Sequence, residues 1–201
     1  MTMSTSDIIC VTNRKLCRED FLTRIGRVAA CRPAAVILRE KDLSPSEYEA
    51  LARQVMQICM EYGVPCVLHS FADTARLLGA QALHVPLPLL RAMPDAQKKQ
   101  FARLGASCHS VEEALEAQRL GCTCITAGHV FDTDCKKGLP GRGLSFLREV
   151  CAASDLPVYG IGGIGPENIE QVREAGAAGA CLMSSLMMCE DVEEYMGALG
   201  R

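Results

Sequence analysis

Four histidines sit at or just after the ends of short apolar runs: His69 ends the run 65–69, His84 falls in 82–85, His109 ends 106–109, and His129 follows 122–127. An imidazole with an unperturbed pKa of about 6.5 can take and return a proton at neutral pH. Gathered at one rim, the four would be material for acid–base chemistry, with His129 the candidate for proton transfer. Taken singly, each reads first as a hydrogen-bonded structural residue. Arg39, Glu40 and Lys41 close another run, 35–39. A third chemical signal is Gly160-Ile161-Gly162-Gly163-Ile164-Gly165-Pro166. Glycines let backbone N–H groups approach an anion closely, and a helix beginning near Pro166 would add its positive end. A long polar stretch, Thr126 to Gly143, holds His129, Thr133, Cys135 and Lys136. Such loops serve binding more often than packing, and Lys136 could neutralise an anionic group. Cys135 reads as a bystander thiol, because a nucleophilic cysteine normally needs a paired base.

The elements that must position these residues are legible from periodicity. Eight short apolar runs (8–13, 35–39, 65–69, 82–85, 106–109, 122–127, 158–161 and 180–183) alternate with stretches of helical spacing, the pattern of βαβ units around a parallel sheet. Their unalternated apolar character predicts burial on both faces. Ser44-Pro45-Ser46-Glu47 and Ser110-Val111-Glu112-Glu113 carry cap serines and early acids that open helices. Leu78-Gly79-Ala80, Leu104-Gly105-Ala106, Leu120-Gly121-Cys122 and Ala175-Gly176-Ala177 read as helix ends with glycine in the left-handed cap. Prolines 86, 88 and 94 argue against a long helix over 87–100. Eight strands and about eight helices predict a compact single-domain (β/α)₈ TIM barrel over residues 1–201. In that fold the strand ends form the site, and the loops after strands seven and eight commonly bind phosphate. That puts the expected phosphate on Gly162, Gly163, Ser184 and Ser185. A doubly wound sheet is the alternative, but its Gly-x-Gly-x-x-Gly after the first strand is absent.

Composition narrows the function classes. Lys plus Arg is 21 against 24 for Asp plus Glu, with no basic cluster, so nucleic acid is not expected as a partner. No apolar run is long enough to cross a bilayer and the N-terminus lacks a secretion pattern, so no membrane partner and a cytoplasmic location are expected. The twelve cysteines are scattered, several inside strand-like runs, and read as thiols. No Cys-x-x-Cys occurs, and Cys122-x-Cys124 has strand spacing, so no structural metal is expected.

The loops also carry a family resemblance over residues 36–185. Leu38-Arg39-Glu40-Lys41, Cys108-His109-Ser110, Gly128-His129-Val130-Phe131-Asp132-Thr133-Asp134-Cys135-Lys136 and Gly160-Ile161-Gly162-Gly163-Ile164 resemble the thiamine phosphate synthase/TenI superfamily. The Gly-His-Val-Phe loop looks closer to its thiazole tautomerase (TenI) branch. The synthase pattern ends strand three with Asn-Asp and follows strand four with His-x-Gly-Gln-x-Asp, acids that hold magnesium and a diphosphate. Here those places read His69-Ser70-Phe71 and His84-Val85-Pro86-Leu87-Pro88-Leu89, which supply no magnesium carboxylate. The resemblance therefore implies an isomerase: metal- and cofactor-independent aromatisation of a carboxylated dihydrothiazole phosphate, with His129 carrying the proton. It further implies that Arg39, Lys41 and Lys136 meet the substrate carboxylate or line the site, that His109 and Thr133 line the pocket, and that the chain forms a homodimer. The alternatives are a thiamine phosphate synthase and a non-catalytic thiazole phosphate-binding protein.

Overall fold

Apolar runs without alternation need cover on both faces, and a closed parallel barrel inside a ring of helices supplies it. In the computed structural model, which describes residues 4–136 and 138–200, the eight runs become β1 (Ile8–Val11), β2 (Ala35–Leu38), β3 (Cys66–His69), β4 (Ala82–Pro86), β5 (Arg103–Cys108), β6 (Cys124–Gly128), β7 (Val158–Ile161) and β8 (Gly179–Leu182). Residues 1–3, part of the N-terminal stretch read for a secretion pattern, lie outside the described residues, as do Lys137 of the long loop and Arg201. The strands pair in parallel in chain order, and β8 closes on β1 with Ile9 opposite Cys181.

Period-two alternation then splits each strand between two cores. Ile8, Cys10, Val36, Leu38, Leu83, Val85, Leu104 and Ala106 point outward beneath the helices. Ile9, Val11, Ala35, Ile37 and Cys181 fill the barrel interior, with Tyr159, Ile161 and Met183 packed against them. Each fully buried aliphatic side chain contributes about 2 kcal/mol from removal of apolar surface from water.

The covering helices are α1 (Phe21–Ala30), α2 (Pro45–Glu61), α3 (Ala72–Leu77), α4 (Leu87–Ala92), α5 (Asp95–Lys98), α6 (Val111–Arg119), α7 (Gly143–Ala153), α8 (Ile169–Glu174), α9 (Ser184–Met188) and α10 (Val192–Ala198). The expected caps form. Ser44 and Glu47 make a reciprocal capping box on α2, and the Ser110 side chain accepts from the Glu113 N–H on α6. Among the described residues no helix is long and apolar enough to cross a membrane.

No long helix crosses 87–100, as expected: the stretch breaks into α4 and α5, with Pro86 and Pro94 at helix N-caps and Pro88 in a first turn, where a missing N–H costs nothing. Three local expectations change. Gly79, Gly121 and Gly176 do hold positive φ (66°, 90° and 94°), but Gly105 is not a cap: it lies inside β5. Its reason is space, since a Cβ there would come within 2.6 Å of His84 Nδ1. Cys122 precedes β6 rather than sharing a strand face with Cys124. Finally, α8 starts at Ile169, three residues beyond Pro166, with Asn168 at its N-cap.

Candidate active site

The C-terminal strand ends form a mouth with two differently built sides. On the β6–β8 side the backbone dominates. Gly162 and Gly163 have φ of 100° and 64°, a region that favours glycine. Packing imposes a second demand: a Cβ on Gly162 would strike His129 Cβ, and one on Gly163 would strike the Asp132 carbonyl and lie 2.7 Å from Phe131 Cβ. Val130 N–H donates to Ile161 O at 2.8 Å and Phe131 N–H to Gly162 O at 3.0 Å, binding the two loops together. Asn168 completes the β7–α8 loop, its Oδ1 accepting from Gly165 N–H and its Nδ2 donating to Gly163 O. Across β8, Ser184 and Ser185 open α9, both half-buried. Gly162 and Gly163 thus lie in the β7–α8 loop, and α8 starts three residues beyond Pro166.

His129 is half-buried and its Nε2 lies 3.1 Å from Leu139 O, so the ring ties the β6–α7 loop to itself. Arg142 N–H donates to the His129 carbonyl at 2.9 Å, closing the same loop. His109 Nδ1 lies 2.7 Å from Gly128 O, and its N–H donates to Glu113 Oε2 at 2.6 Å. Both histidines thus sit at the mouth, engaged with backbone. Thr133 is half-buried and its Oγ1 accepts from Cys135 N–H at 3.4 Å; Cys135 and Lys136 are exposed in a short 3₁₀ turn.

The β2–β4 side is made of side chains. His69 and His84 are register partners on β3 and β4, each 5% exposed, with rings stacked at 5.8 Å between centroids. Ser70 Oγ lies 2.8 Å from His69 Nδ1, and Ser107 Oγ lies 3.0 Å from His84 Nε2. Burial pushes the His84 imidazole down to about 4. Burial, then the charges of His84, Arg39 and Lys41, push His69 down to about 3, so both rings are neutral at physiological pH. Arg39 is half-buried with Nη1 3.8 Å from Met183 Sδ, reaching from β2 towards β8. The Lys41 ammonium is held below its usual range by partial burial and by the charges of Arg39 and Lys136. Lys136, from the β6–α7 loop, therefore reaches across the mouth towards Arg39 and Lys41.

Glu40 turns away from it. The carboxylate is 2% exposed; Oε1 accepts from Thr12 Oγ1 at 2.7 Å and Arg14 N–H at 3.0 Å, and Oε2 from Arg14 Nη1 at 3.0 Å. Tyr48 of α2 supports the same wall: its buried hydroxyl donates to Leu38 O at 2.6 Å and accepts from His69 N–H at 2.9 Å. Thr12, Arg14, Tyr48, Ser70 and Ser107 were not legible as site residues, because common residue types become partners only through contacts across strands.

Magnesium is the metal that the synthase pattern implies, and it asks for hard oxygen ligands. β3, β4 and β5 offer two neutral imidazoles, two serine hydroxyls and buried Leu87 here, and among the described residues no group of three or more His, Cys, Asp or Glu could hold a metal ion. The residues present do not fit it.

A family model described as thiamine monophosphate synthase matches residues 8–186. The chain belongs to that family. It is 34% identical over 182 residues to thiamine-phosphate synthase 2 of Streptococcus pneumoniae, covering 87% of this chain and 84% of the relative. It is 36% identical over 177 residues to the thiamine-phosphate synthase of Desulfitobacterium hafniense, covering 86% and 84%. Among solved structures, thiamine phosphate pyrophosphorylase from Pyrococcus furiosus superposes with a TM-score of 0.84 at 27% identity, covering 98% of this chain and 94% of that one. These relatives overturn the isomerase expectation: they are named as synthases, which are transferases. That expectation put the Gly128-His129-Val130-Phe131 loop and the missing acids above a likeness spread over the whole barrel. The ring of His129, tied to Leu139 O, shows that this loop histidine also has a structural use.

Proposed function

We propose that the protein is a thiamine-phosphate synthase, joining a thiazole phosphate to a pyrimidine that carries a diphosphate leaving group. The observation that carries this reading is the 36% identity to a thiamine-phosphate synthase across 84% of that relative's length. In the reaction the thiazole ring nitrogen attacks the pyrimidine methylene carbon, the C–O bond to diphosphate breaks, and the electron pair leaves with the diphosphate. No proton needs to move. Catalysis then rests on positioning and charge, for which the two sides of the mouth are suited. Gly162, Gly163, Ser184 and Ser185 would hold the thiazole phosphate through backbone N–H groups. Arg39, Lys41 and Lys136 would take the charge that builds on the departing diphosphate. His129 would keep the β6–α7 loop folded over the glycine loop, and His109 and Thr133 would line the space between.

The test is formation of thiamine phosphate and release of diphosphate from the two substrates by purified protein, run with magnesium and in EDTA. Product in either buffer above the enzyme-free rate supports the reading; none in either overturns it. The absence of carboxylates at the ends of β3 and β4 favours one other reading, a thiazole phosphate-binding protein without turnover. It would show as retained thiazole phosphate binding with no product.

A further inference from the structure

Where the β2–α2 and β6–α7 loops face each other across the mouth the lining is cationic, and most of the acids beside it are already engaged. Arg39 and Lys41 come from the first loop and Lys136 from the second. The four acids of those loops are Glu40, Asp42, Asp132 and Asp134. Glu40 is buried on Thr12 and Arg14. Asp42 pairs with Arg14 at 2.7 Å and Lys15 at 2.8 Å. Asp132 Oδ1 accepts from Gly141 N–H at 2.7 Å. Asp134 stands exposed in the same turn as Lys136. Beneath them lie His69 and His84, uncharged, with Ser70 and Ser107 as their partners.

We propose that this cationic lining binds the diphosphate group of the substrate directly, with no divalent cation between them. The inference rests on the synthase reading for the identity of the ligand, and it concerns how this chain differs in holding it. A divalent cation entering here would meet three positive side chains and no free pair of carboxylates. A diphosphate would meet the same three charges as partners, and like and unlike charges decide such a partly desolvated site. The partial burial of Lys41, and the repulsion it already feels from Arg39 and Lys136, mean that a bound anion relieves an unfavourable arrangement. The neutral imidazoles leave that balance unchanged while keeping two hydrogen-bonding rings at the floor.

The experiment is calorimetric titration of the full-length protein with inorganic diphosphate, in EDTA and again with excess magnesium. The affinity in EDTA should stay within about threefold of that in magnesium, and Arg39→Met, Lys41→Met and Lys136→Met should each weaken it by roughly tenfold, the loss of one charge-assisted hydrogen bond. Lys41 and Lys136 are exposed, so those two variants should keep the native fold by circular dichroism. Arg91→Met serves as control: its guanidinium lies 2.6 Å from Glu116 between helices on the outer surface, and diphosphate affinity should not change. Binding that appears only with magnesium, binding unaffected by the three substitutions, or no binding in either buffer overturns the proposal. Metal-free diphosphate binding without thiamine phosphate formation would sink the synthase reading alone; magnesium-dependent product without metal-free binding would sink this inference alone.

Discussion

The two sides of the mouth are built of different materials. The β6–β8 side relies on backbone: glycine φ values and two loops hydrogen-bonded to each other leave little for side chains to add. The β2–β4 side relies on side chains from several elements, with Tyr48, Ser70 and Ser107 setting His69 and His84 and with Arg39 reaching towards β8. A backbone-built site tolerates almost no change at its glycines but is indifferent to charge nearby. A side-chain-built site can exchange its chemistry while the barrel stays the same. That is the difference between this chain and the synthase pattern: the glycine loop is kept, and the ends of β3 and β4 no longer carry the carboxylates.

The most severe break of the comparison is Gly163→Ala. The methyl group would strike the Asp132 carbonyl at a positive φ, and strain plus overpacking should cost about 4 kcal/mol. Urea unfolding should show that loss, and thiazole phosphate binding should fall with it; a stable variant with native affinity would refute the backbone account.

The other side should reveal itself through pH. His69 and His84 stay neutral in the fold down to about 3 and 4, whereas the unfolded chain protonates them near 6.5. The unfolded state therefore binds more protons below that point, and stability is full above about pH 6.5 and lost as pH falls towards 4. Between pH 6.5 and 5 the slope should be about 1 kcal/mol per pH unit for each histidine. His84→Gln should remove roughly half of that slope while keeping a donor for Ser107. An unchanged slope in the variant would show that the rings are not buried as described.

Tyr48→Phe sharpens how far the wall depends on α2. It leaves the Leu38 carbonyl and the His69 N–H without their buried partner, at a cost of about 2 kcal/mol in urea unfolding, and it should weaken diphosphate binding more than thiazole phosphate binding. The smallest effect belongs to Cys135, the one exposed cysteine of the twelve. A thiol reagent on the native protein should report one fast-reacting group, absent in Cys135→Ser, and the variant should retain turnover within about twofold, as a surface substitution without partners does.

Much of this was legible in residue order. The strands from Ile8 to Leu182 appeared as apolar runs because burial on both faces leaves no room for polar alternation. Gly79 and Gly121 announced helix ends because left-handed caps favour glycine. Gly105 misled for an instructive reason: a glycine kept for closeness to His84 looks the same in sequence as one kept for φ. The prolines of 86–94 rightly ruled out a long helix, but only position within the turn shows that Pro86 and Pro94 also start the short ones.

What the sequence by itself determined is the barrel, the placement of its strand ends and the glycine loop after β7, because periodicity, caps and backbone freedom are local properties. Only the tertiary structure decided that Glu40 turns away to Arg14, that His69 and His84 lie stacked and neutral, and that His129 binds its own loop. Those outcomes depend on desolvation and on partners ten or more residues away in the chain, and neither is written in any short stretch of it.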